Sequence, residues 1–251
     1  MDTPVLTQLQ TAFLKWKYPR GSSNMDGSVY AGKSKLAILM GKDFFSRIEG
    51  KVVIDFGCGD GEDAVEMALK GARQVIGIDN REQVLAVGRR RAEGAGVQDR
   101  CVFAASTGVQ ADVVVSVDAF EHFEDPALIL RIMDGLMHPS GECLVTFGPT
   151  WYHPLGGHLF SVFPWAHLIF SERALIAWRS AFKTDGATRF GEVAGGVNQM
   201  TIARFEEYVA AGPLQVDSLT AVPIRKLKVL HNRFTREFTT AVVQCRLTKR
   251  V

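Results

Sequence analysis

The stretch Lys51–Gly61, KVVIDFGCGDG, decides how the rest of the chain is read. Val52, Val53 and Ile54 form a β-branched run without alternation, the pattern of a strand covered on both faces. Asp55 closes the run. Gly57, Gly59 and Gly61 follow as a turn that can take left-handed backbone angles and keeps no side chain between itself and a ligand. Glu62–Lys70 then reads as a helix, with Ala64, Val65, Met67, Ala68 and Leu69 on its apolar face. Strand, turn and helix N-terminus together make a nucleotide-cradling unit, because the free N–H groups of the first helical turn point over the loop. A dinucleotide fold wants a glycine three positions after Gly59, where this chain has Glu62. The carboxylates of the turn and helix start suit a ligand carrying positive charge and hydroxyls better than a pyrophosphate.

Outward from this unit the sequence alternates. Arg73–Asp79 is a second strand ending in an acid, and Asp79 or Asn80 caps a helix over Arg81–Gly94. Cys101–Ala105 and Ala111–Val117 are the third and fourth strands. A helix over Asp125–Met137 and a turn at His138–Gly141 lead to a fifth strand, Glu142–Phe147. Strands and helices at this interval indicate βαβ units and a parallel sheet. Upstream, helices over Pro4–Trp16 and Ser34–Ile48 (the latter with Gly41 inside) flank the loop Lys17–Gly32, a surface connection or a lid. Downstream of Phe147 the alternation stops, and apolar helical segments such as Ser161–Phe170 and Ser171–Ser180 intervene. Strands resume at Leu214–Val222 and Phe238–Leu247, joined by a short helix from Ile224 to Phe234. The expectation is one domain, 1–251: N-terminal helices and possible lid at 1–48, a cofactor-binding core at 49–147, an inserted helical cap at 148–213, and C-terminal strands at 214–251.

A chain of 251 residues with 47% apolar content buries a substantial core. A net charge of +2, with no basic run longer than Arg89–Arg91, offers nothing that invites nucleic acid, and no nucleic-acid partner is expected. The four cysteines are too scattered for a disulfide framework, and no pair has zinc-ligand spacing. No stretch reaches membrane-spanning length and MDTPVLTQLQ has no leader pattern, so a cytoplasmic location and no membrane partner are expected.

Val53–Gly61 closely resembles the first motif of the class I methyltransferases that use S-adenosylmethionine, and the likeness extends over Lys51–Thr150. The resemblance implies a doubly wound, mostly parallel seven-stranded α/β sheet whose tail ends in an antiparallel strand, with the helical cap inserted after the fifth strand. It implies S-adenosylmethionine as cofactor, held over Gly57, Cys58, Gly59 and Gly61, with Asp55 supporting the turn and Asp118 and Ala119 lining the methionine side. Asp79, at the end of the second strand, is placed to accept both ribose hydroxyl hydrogens, with Asn80 beside it. The family's aspartate after the third strand is missing, and Ser106 and Thr107 stand in that region for the adenine contact. His122, in the Glu-His pair after the fourth strand, reads as a structural histidine.

The segment FGPTWYHPLGGHLFSVFPWAHLIF (147–170) concentrates aromatics. Trp151, Tyr152, Phe160 and Trp165, with Tyr18 and Tyr30 from the N-terminal loop, are expected to face a small organic acceptor with an apolar or aromatic body. His153 and His158 are the candidate proton acceptors, His153 foremost. No metal is expected, because neither histidine has a ligand partner at recognised spacing. The function expected is methyl transfer to oxygen, nitrogen or carbon of a small molecule. A catalytically inactive donor-binding protein, an NAD-dependent oxidoreductase and a protein methyltransferase are the alternatives.

Overall fold

The structure is a computed structural model that describes residues 3–19, 33–41, 43–193 and 196–250. Its centre is β1 (Val52–Phe56), buried at every position, as the unalternated run requires. Parallel neighbours flank it: β2 (Gln74–Ile78) on one side, with β3 (Cys101–Ala104) beyond, and β4 (Ala111–Val117) on the other. Next to β4 lie β5 (Met137–Phe147), then β7 (Thr240–Lys249) antiparallel to β5, then β6 (Leu214–Pro223) at the edge. The order is β3-β2-β1-β4-β5-β7-β6. The chain reverses direction of travel across the sheet between β1 and β4, and an open parallel sheet places its ligand crevice at the carboxyl ends beside that switch point.

Helices cover both faces. One face packs on α2 (Lys35–Met40), α3 (Phe44–Ile48), α4 (Glu62–Leu69) and α5 (Glu82–Gly94), through Leu36, Phe44, Met67 and Leu85. The other packs on α6 (Pro126–Leu136) and α9 (Ile202–Ala211), through Leu130, Met133 and Phe205. A third apolar cluster lies between the inserted segment and α1 (Pro4–Lys17). There Leu14 meets Phe160, Phe190 and Trp178 of the insertion, whose helices are α7 (Ala166–Ile169) and α8 (Glu172–Arg179).

Several expected boundaries move for local reasons. Gly41 takes φ 91° and splits the expected Ser34–Ile48 helix into α2 and α3. The helix expected over Ser161–Phe170 shrinks to α7, because Pro164 disfavours helical angles before it and Trp165 sits at φ 62°. Between β6 and β7 the expected helix is a 3₁₀ stretch, Arg225–Leu230, followed by α10 (Arg236–Thr239).

Candidate functional site

The glycine turn is tied to its neighbour strand: the N–H groups of Gly57 and Cys58 both donate to the Ile78 carbonyl, at 2.8 and 3.0 Å. Gly57, Gly59 and Gly61 all have positive φ, at 83, 52 and 78°. A Cβ on Gly61 would lie 2.4 Å from the Phe103 ring and 2.9 Å from Gly88 Cα, so this glycine packs turn against sheet. A Cβ on Gly59 would meet nothing within 4 Å. That residue borders open space.

The space is a groove in two basins that share Gly57, Arg81 and Asp118. The first, about 870 Å³, is walled by Asp55, Asp63 and Asp118, with Lys35 between them. Lys35 Nζ stands 3.3 Å from Asp63 and 3.4 Å from Asp118. Burial works against its ammonium, but the Asp118 and Asp63 charges prevail and raise its pKa. Burial pushes Asp118 up, although Lys35 opposes the shift. Asp55 is 2% exposed, and its Oδ2 has no hydrogen-bond partner. Burial, reinforced by Asp63, pushes its carboxyl up to about 8. The second basin, about 620 Å³, is apolar: Phe56, Ile78, Ala119, Phe123 and Ile129, with Asp79 and Asn80 at one edge and His122 at another.

Asp79 is fully engaged. Its Oδ1 accepts from Arg81 N at 2.9 Å and Arg81 Nε at 3.0 Å; its Oδ2 accepts from Arg81 Nη2 at 3.0 Å and Gly59 N at 3.2 Å. An ionised carboxylate offers about four lone-pair positions, and all are filled. Burial disfavours the charge, but these hydrogen bonds outweigh it and hold the carboxyl below its usual range. A ligand diol therefore reaches Asp79 only by replacing the Arg81 side chain.

Among the residues expected to hold the donor, Asp55, Gly57, Cys58, Gly59, Asp79, Asn80, Asp118 and Ala119 line the groove. Gly61 shapes the turn from behind. Ser106 and Thr107 are not among the lining residues: Ala105 forms the rim, and Thr107 Oγ1 turns away to accept Val109 N at 3.1 Å. Sequence reasoning missed Lys35, Asp63, Arg81, Phe123 and Ile129. Asp63 was legible as a second acid in the first turn of α4, and Arg81 as a cation two residues past the key carboxylate. Lys35 carries no local signal, since only the fold brings α2 to the ends of β1 and β4.

The aromatic expectations are corrected. Tyr18 packs on Phe163, Trp151 on His167 and Phe190, and Phe160, 1% exposed, on Phe190. Trp165 donates its indole N–H to the Tyr152 carbonyl, and Tyr152 stacks on Phe238. None of these five lines either basin. They face one another because a cap of short helices must supply its own core. Tyr30 lies outside the described residues.

The histidines also rearrange. His153 Nδ1 accepts the Leu155 N–H at 2.9 Å, which leaves its ring with a donor at Nε2 and no spare lone pair. Burial, with His167 nearby, pulls it down to about 4. His158 instead meets His122, ring centroids 5.1 Å apart, beside the buried Glu121. Burial, with His122 nearby, pulls His158 down to about 4, and burial, with Asp118 nearby, pushes Glu121 up to about 8.

Residues 48–149 match the family model described as a methyltransferase domain. The ubiquinone biosynthesis O-methyltransferase of Acinetobacter baumannii (strain AYE) is 41% identical over 102 residues, 38% of this chain and 43% of that protein. The chain thus spans less than half the length of the curated relatives it matches. Among solved structures, the magnesium protoporphyrin IX methyltransferase of Synechocystis PCC 6803 shares the fold at TM-score 0.53 and 14% identity, over 98% of this chain and 95% of that one. An S-adenosylmethionine-dependent methyltransferase of Mesorhizobium loti aligns at TM-score 0.53 and 17% identity, over 81% and 92%.

Proposed function

We propose that this chain is a class I methyltransferase that uses S-adenosylmethionine and that it methylates a small organic acceptor. The observation that carries the reading is the groove's division of labour. One basin is lined by six carboxylates, Asp55, Asp60, Glu62, Asp63, Glu66 and Asp118, including a buried Asp55 oxygen without a partner; the other is apolar; and Asp79 stands at the apolar basin's edge beside the glycine turn. A cation, a diol and a flat aromatic body in that order fit S-adenosylmethionine, and a pyrophosphate does not. Asp55, Asp63 and Asp118 would hold the ammonium end, Asp79 the ribose, and Phe56, Ile78, Phe123 and Ile129 the adenine. The bound cofactor supplies an electrophilic methyl on a positively charged sulfur.

The protein's task is then alignment, exclusion of water and management of the acceptor's proton. Asp118 and Ala119 turn the chain from β4 toward the cap. His122 follows on the groove wall, so the acceptor's reacting atom is expected on that side. The O-methyltransferase named above matches this chain over its core alone, which supports a small-molecule acceptor and leaves its body to be read from the walls. For that body we keep the apolar or aromatic character expected from the sequence, with Ala119 and His122 on the acceptor's side of the groove. The domain boundaries expected from the sequence serve this reading: core at 49–147 for the donor, insertion at 148–213 for the acceptor.

Calorimetry with S-adenosylmethionine, S-adenosylhomocysteine, NAD and NADP tests it. The first two should bind and the last two should not. Asp79→Ala should weaken donor binding by roughly 10- to 100-fold, the worth of a shielded charge-assisted pair of about 1.5–3 kcal/mol. NAD binding with no response to the donor would overturn the assignment.

A further inference from the structure

We infer that Glu121, His122 and His158 form a binding site for one divalent transition-metal ion, zinc or a close analogue, against the wall of the donor groove. The sequence spacing gave no such set, because the third ligand comes from the cap. Glu121 and His122 end the 3₁₀ turn Phe120–His122 after β4, and His158 opens the 3₁₀ turn His158–Phe160. One ligand atom from each lies within 4.8 Å of the others. Ligands bound to zinc at about 2.0–2.2 Å stand roughly 3–3.5 Å apart. Binding would draw the three ligand atoms together. None of the three is hydrogen-bonded to another, so they do not form a proton relay as they stand.

The surroundings of each ligand are those of a built site. His122 Nδ1 lies 2.8 Å from the Gly196 carbonyl. A carbonyl only accepts, so Nδ1 carries the proton and Nε2 keeps its lone pair. This outer hydrogen bond is the usual support of a metal-bound histidine. Glu121 is 3% exposed; its Oε1 accepts the Gly148 N–H at 3.3 Å, while its Oε2 is buried without a partner. An unpaired carboxylate oxygen in such a place is expensive unless a cation meets it. Asn198 clamps the turn by donating to the Phe120 and Phe123 carbonyls at 2.8 and 2.9 Å. No described residue hydrogen-bonds the His158 ring, which takes φ 52°, a conformation uncommon outside glycine.

Two imidazoles and one carboxylate with a position left open is the donor set of catalytic rather than structural zinc. His122 also lines the apolar basin, which sets the ligand group against the groove wall. Resting on the methyl-transfer reading, an ion held there would suit an acceptor presenting a hydroxyl oxygen: it would lower that hydroxyl's pKa, and the proton would pass to solvent water before the oxygen takes the methyl.

The test uses the full chain stripped with chelator and titrated with Zn²⁺ against a chromophoric competitor, then with Co²⁺ followed by absorption. Wild type should take one equivalent, with a cobalt spectrum of nitrogen and oxygen ligands lacking sulfur charge-transfer bands. His158→Ala and His122→Ala should each lower zinc affinity at least 10- to 100-fold. In His158→Ala, circular dichroism and S-adenosylmethionine binding should stay as in wild type. Absence of stoichiometric binding in the folded wild type, a thiolate spectrum, or undiminished affinity in both folded histidine variants would overturn the site. Because zinc and donor binding are measured separately, failure of one leaves the other reading standing.

Discussion

The core at 49–147 and the insertion at 148–213 solve opposite problems. In the core, topology brings the functional groups together: the ends of β1, β2 and β4 are adjacent because the strands are, so Gly57, Asp79 and Asp118 meet around one groove. In the insertion no sheet organises the chain, and its large side chains spend themselves on one another, as Phe160, Phe190 and Trp178 show. The first region is a frame with an opening. The second is a small core whose described residues line neither basin and which meets the groove wall where His158 packs on His122. An aromatic-rich segment near a crevice is thus not by itself the crevice's ceiling.

Four measurements break or sharpen this contrast. The largest effect is expected in the insertion: Trp178 is fully buried and donates its indole N–H to the Tyr18 carbonyl at 2.8 Å, so Trp178→Ala should cost about 3–5 kcal/mol in denaturant unfolding. Donor affinity of the folded fraction should change less than about threefold, since 1.4 kcal/mol is tenfold. A proportionate fall would mean the cap core and the groove are one unit. Gly61→Ala should do the converse. Overpacking against Phe103 and Gly88 costs about 1–3 kcal/mol, the left-handed angle about 1–2 more, and donor binding should suffer with stability. Undisturbed donor binding there would show that the turn's shape is not what holds the ligand.

The third concerns Asp55, whose carboxyl stands at about 8 against an ordinary 3.8. Below pH 8 the free protein holds a proton there, and a bound cation favours its release. Donor affinity should therefore rise with pH, by at most about tenfold per unit, and level off above 8, with proton release visible as a buffer-dependent calorimetric enthalpy. Asp55→Asn should remove the dependence. The sign for stability is opposite. Unfolded Asp55 is already ionised above about pH 4, so the folded state binds the extra proton, and this group's contribution falls as pH rises from there to 8. The smallest effect is Arg81→Ala. It frees two of the four acceptor positions on Asp79, those held by the guanidinium, while the Arg81 backbone N–H stays in place. With the guanidinium itself largely exposed, the pair is worth about 0.2–1 kcal/mol, so donor binding should tighten by no more than about fivefold. Weakened binding would mean that Arg81 orients Asp79 instead of competing for it.

How much was legible follows the same division. The βαβ alternation and the seven-stranded sheet were written in local pattern, since a strand buried on both faces and an amphipathic helix announce themselves in a few residues. So was the position of Asp55, the glycine turn and Asp79 at the strand ends beside the groove, because strand ends fix where side chains go. Ser106 and Thr107 failed because a loop beyond a strand end has no periodicity to aim it. His153 failed because a turn can consume its own histidine's lone pair, as the Leu155 N–H does. Lys35 and the meeting of Glu121 with His158 were invisible because they depend on contacts between elements far apart in the chain.

The filled shell of Asp79 carries a kinetic meaning. A groove whose best acceptor is bare broadcasts its charge and draws cations in from solution, whereas one that keeps a guanidinium seated on that carboxylate is electrostatically quiet. Entry then becomes an exchange of partners: the arriving diol waits for a side chain to swing out, and the departing product is chased by its return. On that footing Arg81 is a tethered competitor at very high local concentration, and it should hasten release of spent cofactor as much as it slows capture of fresh.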